Sequence, residues 1–191
     1  MIDPLATWIA EFKKLPQDLT GNDSPKNIAN FIDQRVTNKL DLNNSIAKFS
    51  PTPIFTWQKS IFQAVLTIIA KMPSPEVISP AIKMANAWQS ATLASTFIIS
   101  AGAAVSPPPP ATDGIAATAV AVIDPATLAL AYSELVSDLS SVGPVNIQAD
   151  AELPKAIYKA FTKITYTITG IDTKPPPIGP IPIVLPLTAV Q

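Results

Sequence analysis

The chain has neither cysteine nor histidine among its 191 residues. Without cysteine there are no disulfides and no thiol chemistry, although the absence fixes no compartment. Without histidine the commonest general base and the commonest metal ligand are both missing. Charge is scarce: Asp, Glu, Lys and Arg make up 14% of the residues, where a soluble domain usually carries about a quarter. The 13 basic and 14 acidic residues give a net charge of −1, so no basic excess invites a nucleic-acid partner. The six glycines never fall into GxGxxG or GxxxxGK, and no phosphate-cradling loop is encoded. No cofactor and no small-molecule ligand are expected.

What is present is apolar and rich in proline: 48% of residues are hydrophobic and 21 are prolines. So few charges imply that much of the surface is not meant to face water. A bilayer is a poor explanation. The uncharged window Ala85–Val105 contains Asn86, Gln89, Ser90, Thr92, Ser95, Thr96 and Ser100, and Pro107–Pro110 follow almost at once. The run Ile61–Ala70, bracketed by Lys59 and Lys71, is too short to cross. Both read as buried protein helices. The opening MIDPLATWIAEFKK lacks a basic start before its apolar run, so no signal peptide is read there.

Capping residues directly before proline mark helix starts at Asp3-Pro4, Ser24-Pro25, Thr52-Pro53, Ser79-Pro80 and Asp124-Pro125, because proline lacks only an N–H that the first turn cannot use. Helices are expected at about 4–14, 25–40, 53–72, 80–104 and 125–140. The first two carry one apolar stripe each. The third is apolar on two faces, through Ile54, Trp57, Ile61, Val65 and Ile68 and through Phe55, Phe62, Leu66 and Ile69, and is expected to be central. The fourth has an alanine ridge, Ala81, Ala85, Ala87, Ala91 and Ala94, suited to close helix approach. From Pro154, the residues Ile157, Phe161, Ile164 and Ile168 keep helical spacing, yet KITYTITG alternates like a strand. Helix to about 169, stopped by Gly170, is the favoured reading.

The fold class expected is all-α: a helical bundle of two helical hairpins plus N-terminal helices, with an extended proline-rich C-terminal arm. Its division is an N-terminal helical pair (1–45), a helical core (46–170) and the arm (171–191). A weak internal repeat supports tandem hairpins at 53–110 and 124–177, with PAIKMANAWQSAT matching PKAIYKAFTKIT and each copy leaving through a run of prolines. Three tryptophans, Trp8, Trp57 and Trp88, sit at apolar helical positions and read as core or interface anchors.

Chemistry is hard to place. Glu134 and Asp138 lie i, i+4 on one helix, an ordinary solvated face, and Asp150 and Glu152 precede a helix start, where acids favour the dipole. Ser45-Ile46-Ala47-Lys48 matches SxxK but has no SDN or KTG companion. Lys155, Lys159 and Lys163 form a stripe that would suit an acidic partner but reads more simply as solvated. No catalytic or metal-binding residue is assigned, and no enzyme is expected.

The most distinctive segment follows Lys174, after which the chain carries no charge. Pro175, Pro176, Pro177, Pro180, Pro182 and Pro186 alternate with Ile178, Ile181, Ile183, Val184, Leu185 and Leu187. Proline fixes φ and removes a backbone donor, which excludes helix and central strand; an extended run near polyproline II is expected. Pro175, Pro176, Pro177, Ile178, Ile181, Ile183, Val184, Leu185 and Leu187 are the candidate partner-binding residues. An apolar arm of this kind packs along its own domain or lies in a groove on another subunit.

Two stretches are built alike. Thr169-Gly170 leads into Pro175-Pro176-Pro177-Ile178-Gly179-Pro180, and Ala101-Gly102 leads into Pro107–Pro110. Ala/Thr-rich helices ending this way before a proline-rich arm resemble small structural proteins of tailed-phage virions. The resemblance implies a non-enzymatic virion subunit whose arms clamp neighbours in a tail, baseplate or head lattice. Its partners would be protein subunits of the same assembly, homo- or hetero-oligomeric. The alternative is a secreted or membrane-active helical protein that exposes apolar helices to lipid.

Overall fold

The structure is a computed structural model and describes residues 4–15, 24–37, 49–50, 54–71, 78–98, 104–105, 115–117, 122–141, 152–172 and 181–186. In chain order the elements are α1 (Leu5–Phe12), α2 (Ser24–Val36), β1 (Phe49–Ser50), β2 (Ile54–Thr56), α3 (Lys59–Ala70), α4 (Ile78–Leu93), β3 (Thr96–Ile98), β4 (Ala104–Val105), β5 (Ile115–Ala117), β6 (Val122–Ile123), α5 (Pro125–Ser141), α6 (Glu152–Lys163), β7 (Thr165–Asp172) and β8 (Ile181–Pro186). Helix dominates, and the all-α bundle expected from the sequence is present. Short antiparallel strands are added to it.

The clearest helix start is at α5. Asp124 Oδ1 accepts the Ala126 N–H at 2.9 Å, which is the N-cap geometry that Asp-Pro encodes. The cap also ties α5 to β7. The Asp124 N–H donates to the Thr165 carbonyl at 2.9 Å, and the Thr165 N–H donates to Thr127 Oγ1 at 3.1 Å. Thr165 Oγ1 also reaches Asp124 Oδ2 at 3.3 Å. Asp124→Ala is therefore expected to destabilise the fold by about 1–2 kcal/mol, lowering the melting temperature by roughly 3–6 °C. Asp124→Asn, which keeps an acceptor, should recover most of that loss in thermal denaturation.

Three expected helices are shorter than their apolar patterns. Residues 54–56 form β2, and α3 begins only at Lys59. Helix α4 ends at Leu93, and β3 then pairs antiparallel with β2, Ile54 facing Ile98 and Thr56 facing Thr96. Both strands are β-branched or aromatic throughout, a composition that fits a pleated surface better than a helix. Helix α6 likewise stops at Lys163, so the expected helix to 169 is corrected: Thr165–Asp172 is β7, paired with β5, β6 and β8. The period-two alternation of KITYTITG prevails there because partner strands exist to pair with it.

The corrected boundaries give the two halves one plan. Each is strand, helix, helix, strand, with its outer strands paired: β2–α3–α4–β3 and β6–α5–α6–β7. Two β-α-α-β units thus run over 54–98 and 122–172. Helix α2 packs on α3, α3 on α4, α4 on α5 and α5 on α6, and α6 returns to α1. Trp8 and Phe12 of α1 meet Phe31 of α2, with ring centroids 6.0 and 5.4 Å apart. The helices thus follow one another around a shared core, and one cluster of buried side chains runs from Trp8 to Tyr166.

At its centre Phe161 packs edge-on against Trp57 at 6.1 Å and Trp88 at 5.5 Å. All three tryptophans are buried in the core, although Trp57 precedes α3 and does not sit at the helical position expected of it. Four members of the alanine ridge (Ala81, Ala85, Ala87 and Ala91) are buried where α4 lies between α3 and α5, while Ala94 is exposed. Polar side chains pin the entry to α3. Thr37 Oγ1 accepts the Trp57 N–H and Ser95 Oγ accepts the Gln58 N–H, both at 3.2 Å. Ser95 Oγ in turn donates to the Ala91 carbonyl at 2.5 Å, closing the end of α4.

Candidate functional site

One side is laced with ion pairs between α5 and α6: Lys159 lies 3.0 Å from Asp138 and 3.5 Å from Glu134, and Lys163 also pairs with Glu134. The two stripes that read separately as solvated faces therefore face each other. Hydrogen bonding from Lys163 is the main cause holding the Glu134 carboxyl below its ordinary range, and Asp138 raises the Lys159 ammonium in the same way. Such half-exposed pairs add little stability singly but set the register of two helices. Further round, Glu11 pairs with Lys14 at 2.9 Å and with Arg35 at 3.7 Å, and Lys59 reaches Asp33 at 3.0 Å.

Between α5 and α6 lies an open cleft of about 240 Å³ lined by Asp138, Ser141, Glu152, Lys155, Ala156 and Lys159. Its charges already answer one another, since Lys155 pairs with Glu152 and Lys159 with Asp138. Among the described residues no group of three or more carboxylates is placed to hold a metal ion. Asp150 and the Ser45–Lys48 motif lie outside the described residues.

On α3 and α4 charge is sparse: Lys71 is exposed at the end of α3 and Lys83 on α4 is half-buried. Helix α3 carries no charge between Lys59 and Lys71, and its outer positions Ser60, Ala64 and Ile68 are exposed. The expectation that α3 is central is thus corrected: Phe62 and Leu66 face the core, while Ile68 is 58% exposed. On α4 the exposed positions Ile82, Asn86, Ser90 and Leu93 recur at helical spacing, and on α5 so do Ala126, Ala129 and Leu130. Leu93 and Leu130 are each 56% exposed. Because α3 packs on α4 and α4 on α5, the three stripes adjoin. Apolar residues outnumber polar ones on this broad face, and none of these exposed positions is charged, whereas a solvated helix turns charge outward.

The arm adds a second element. Of the candidate partner-binding residues, Ile181, Ile183, Val184 and Leu185 lie in β8, whereas Pro175, Pro176, Pro177, Ile178 and Leu187 lie outside the described residues. Strand β8 is antiparallel to β7, with Thr165 opposite Pro186, Thr167 opposite Val184, Thr169 opposite Pro182 and Gly170 opposite Ile181. Over these residues the arm is extended, as its prolines require, and it takes the form of a β-strand rather than free polyproline II.

Proline spacing explains how a strand is possible. The hydrogen bond from Asp124 N–H to the Thr165 carbonyl shows that Thr165 turns its backbone groups toward β6. Backbone direction alternates along a strand, so Tyr166, Ile168 and Gly170 turn theirs toward β8. Their partners are Leu185, Ile183 and Ile181, none of them proline. Pro182 and Pro186 fall at the positions whose N–H would point away from β7. The missing donors therefore cost the β7–β8 ladder nothing, which is the one arrangement that admits proline to an edge strand.

Among the described residues no helix is long and apolar enough to cross a membrane. The chain matches no protein-family model, no curated protein sequence and no solved structure.

Proposed function

We propose that this chain is a non-enzymatic structural subunit that assembles with neighbouring protein subunits, through its outer helical face and its C-terminal arm. The observation that carries this reading is the outer surface of α3, α4 and the first half of α5, where Ile68, Leu93 and Leu130 stand exposed and apolar positions outnumber polar ones. Permanent interfaces are more apolar than the rest of a protein's surface. A tailed-phage virion is the setting toward which the Ala/Thr-rich helices and proline runs point.

Light scattering on a sizing column tests the reading. The wild-type chain should run as a defined oligomer, and Leu93→Lys combined with Leu130→Lys should return it to monomer without change in its helical circular dichroism. Burying an unpaired ammonium in such an interface is expected to weaken association by on the order of 100-fold or more. A wild-type chain that stays monomeric at high concentration overturns the reading; if that monomer also floats with liposomes, the face is a lipid surface instead.

A further inference from the structure

We propose that two copies of the chain pair face to face across a two-fold axis at the middle of α4, where Asn86 of one copy meets Asn86 of the other. The proposal rests on the assembly reading and names the partner of the helical face as a second copy of the same chain.

The face has the size for it. Helix α4 has 16 residues, which is about 24 Å of length, and packed helix axes lie about 8–10 Å apart. With α3 packed on one part of α4 and α5 on another, the three outer surfaces together measure roughly 600 Å² in projection. Two copies face to face would cover about 1,200 Å² in all, and a specific interface needs about 1,000 Å² or more. Ile68, Leu93 and Leu130 stand on three different helices, so a single docked peptide segment would cover one of the stripes and leave the others in water. A folded surface of equal breadth covers them all.

The pattern on α4 is complementary to itself. Ile82, Asn86 and Ser90 are exposed at every fourth position, and a ridge of that spacing interlocks with its own copy at a crossing angle of about −50°. Asn86 lies beside the midpoint of Ile78–Leu93. Its amide offers both donors and an acceptor, so two such amides related by a two-fold axis satisfy each other, whereas an apolar partner would leave both halves unpaired. One asparagine in an otherwise apolar seam is a known means of fixing register. Charge agrees with this geometry. Lys71 lies just past the end of α3, at the margin of the face. Lys83 precedes Asn86 by three residues, so an antiparallel crossing at Asn86 sets the two Lys83 backbones about 9 Å apart along the helices. A parallel crossing would set them side by side.

Because the chain has no cysteine, disulfide trapping locates the axis without background. Only a residue at the axis lies opposite its own copy. Where two helices cross, facing Cα atoms come within about 4–6 Å, close enough for a disulfide. Oxidised full-length Asn86→Cys should therefore give a covalent dimer in high yield. Ser137→Cys, exposed on α5 beside the ion-paired Asp138, should remain a single chain. If Asn86→Cys forms no more dimer than Ser137→Cys while the wild type still runs as an oligomer, the two-fold pairing is overturned and assembly by another arrangement survives. A monomeric wild type removes both. As an independent readout, Asn86→Asp places two carboxylates at the axis, where like charges oppose association. It should raise the dimer dissociation constant at least tenfold at neutral pH, with the helical circular dichroism unchanged; an unaltered constant overturns the pairing.

Discussion

Phe161→Ala is expected to be the most damaging single substitution in the helical core. Its ring is fully buried and touches both Trp57, at the entry to α3, and Trp88, in the middle of α4. It thereby joins the two β-α-α-β units at one point. Truncation removes the transfer free energy of the ring and leaves a void that three separate elements would have to close together, a cost of about 3–5 kcal/mol. Against a typical total of about 5–15 kcal/mol, that is a drop in melting temperature of roughly 10 °C. Phe161→Leu, which fills most of the volume, should lose much less. A melting temperature for Phe161→Ala within a few degrees of wild type would show that the two units do not depend on this contact.

Trp8→Ala should cost a similar amount but express it locally. Trp8 is fully buried between Phe31 of α2 and Tyr158 of α6, at 6.0 and 5.4 Å. Burial there also raises the Tyr158 hydroxyl above its ordinary pKa. Helix α1 is short, Leu5–Phe12, and too brief to persist without tertiary support. Losing its largest anchor should free it while α2–α6 stay folded. The expected observation is rapid tryptic cleavage after Lys13 or Lys14, with most of the helical signal retained. The indole N–H makes no hydrogen bond, so Trp8→Phe removes no bonded donor and should stay close to wild type in protease resistance. Equal resistance of Trp8→Ala and wild type would mean that α1 is held by other contacts.

Much of the helical framework is legible in the sequence because its signals are local. Asp124-Pro125 predicts a cap, and Asp124 makes it. The alanine ridge of α4 predicts close packing, and four of its five members are buried. The strand segments read as helix because each depends on a distant partner. Nothing near Ile54–Thr56 announces that Thr96–Ile98 will lie beside it, and the apolar spacing of both runs continues that of the helices they flank. The same distance hides the α5–α6 ion pairs: Lys159 and Glu134 each look solvated until the hairpin brings them together. For the site, the arm is visible in composition alone. The outer face of α3 is not, since an apolar stripe looks the same whether its neighbour is the protein's own core or another subunit.

The return of α6 onto α1 sets an order of events during synthesis. Tyr158 is made roughly 150 residues after Trp8, the side chain it packs against. At about 5–20 residues per second, α1 waits on the order of ten seconds before its last partner emerges. Neighbouring helices can dock as soon as each pair leaves the ribosome, since their contacts are short-range, whereas joining the first helix to the sixth requires closing the longest loop in the bundle. Trp8, Ile9 and Phe12 would spend that interval with at most α2 to cover them. Helix α1 of the nascent chain therefore invites a chaperone until α6 emerges to displace it.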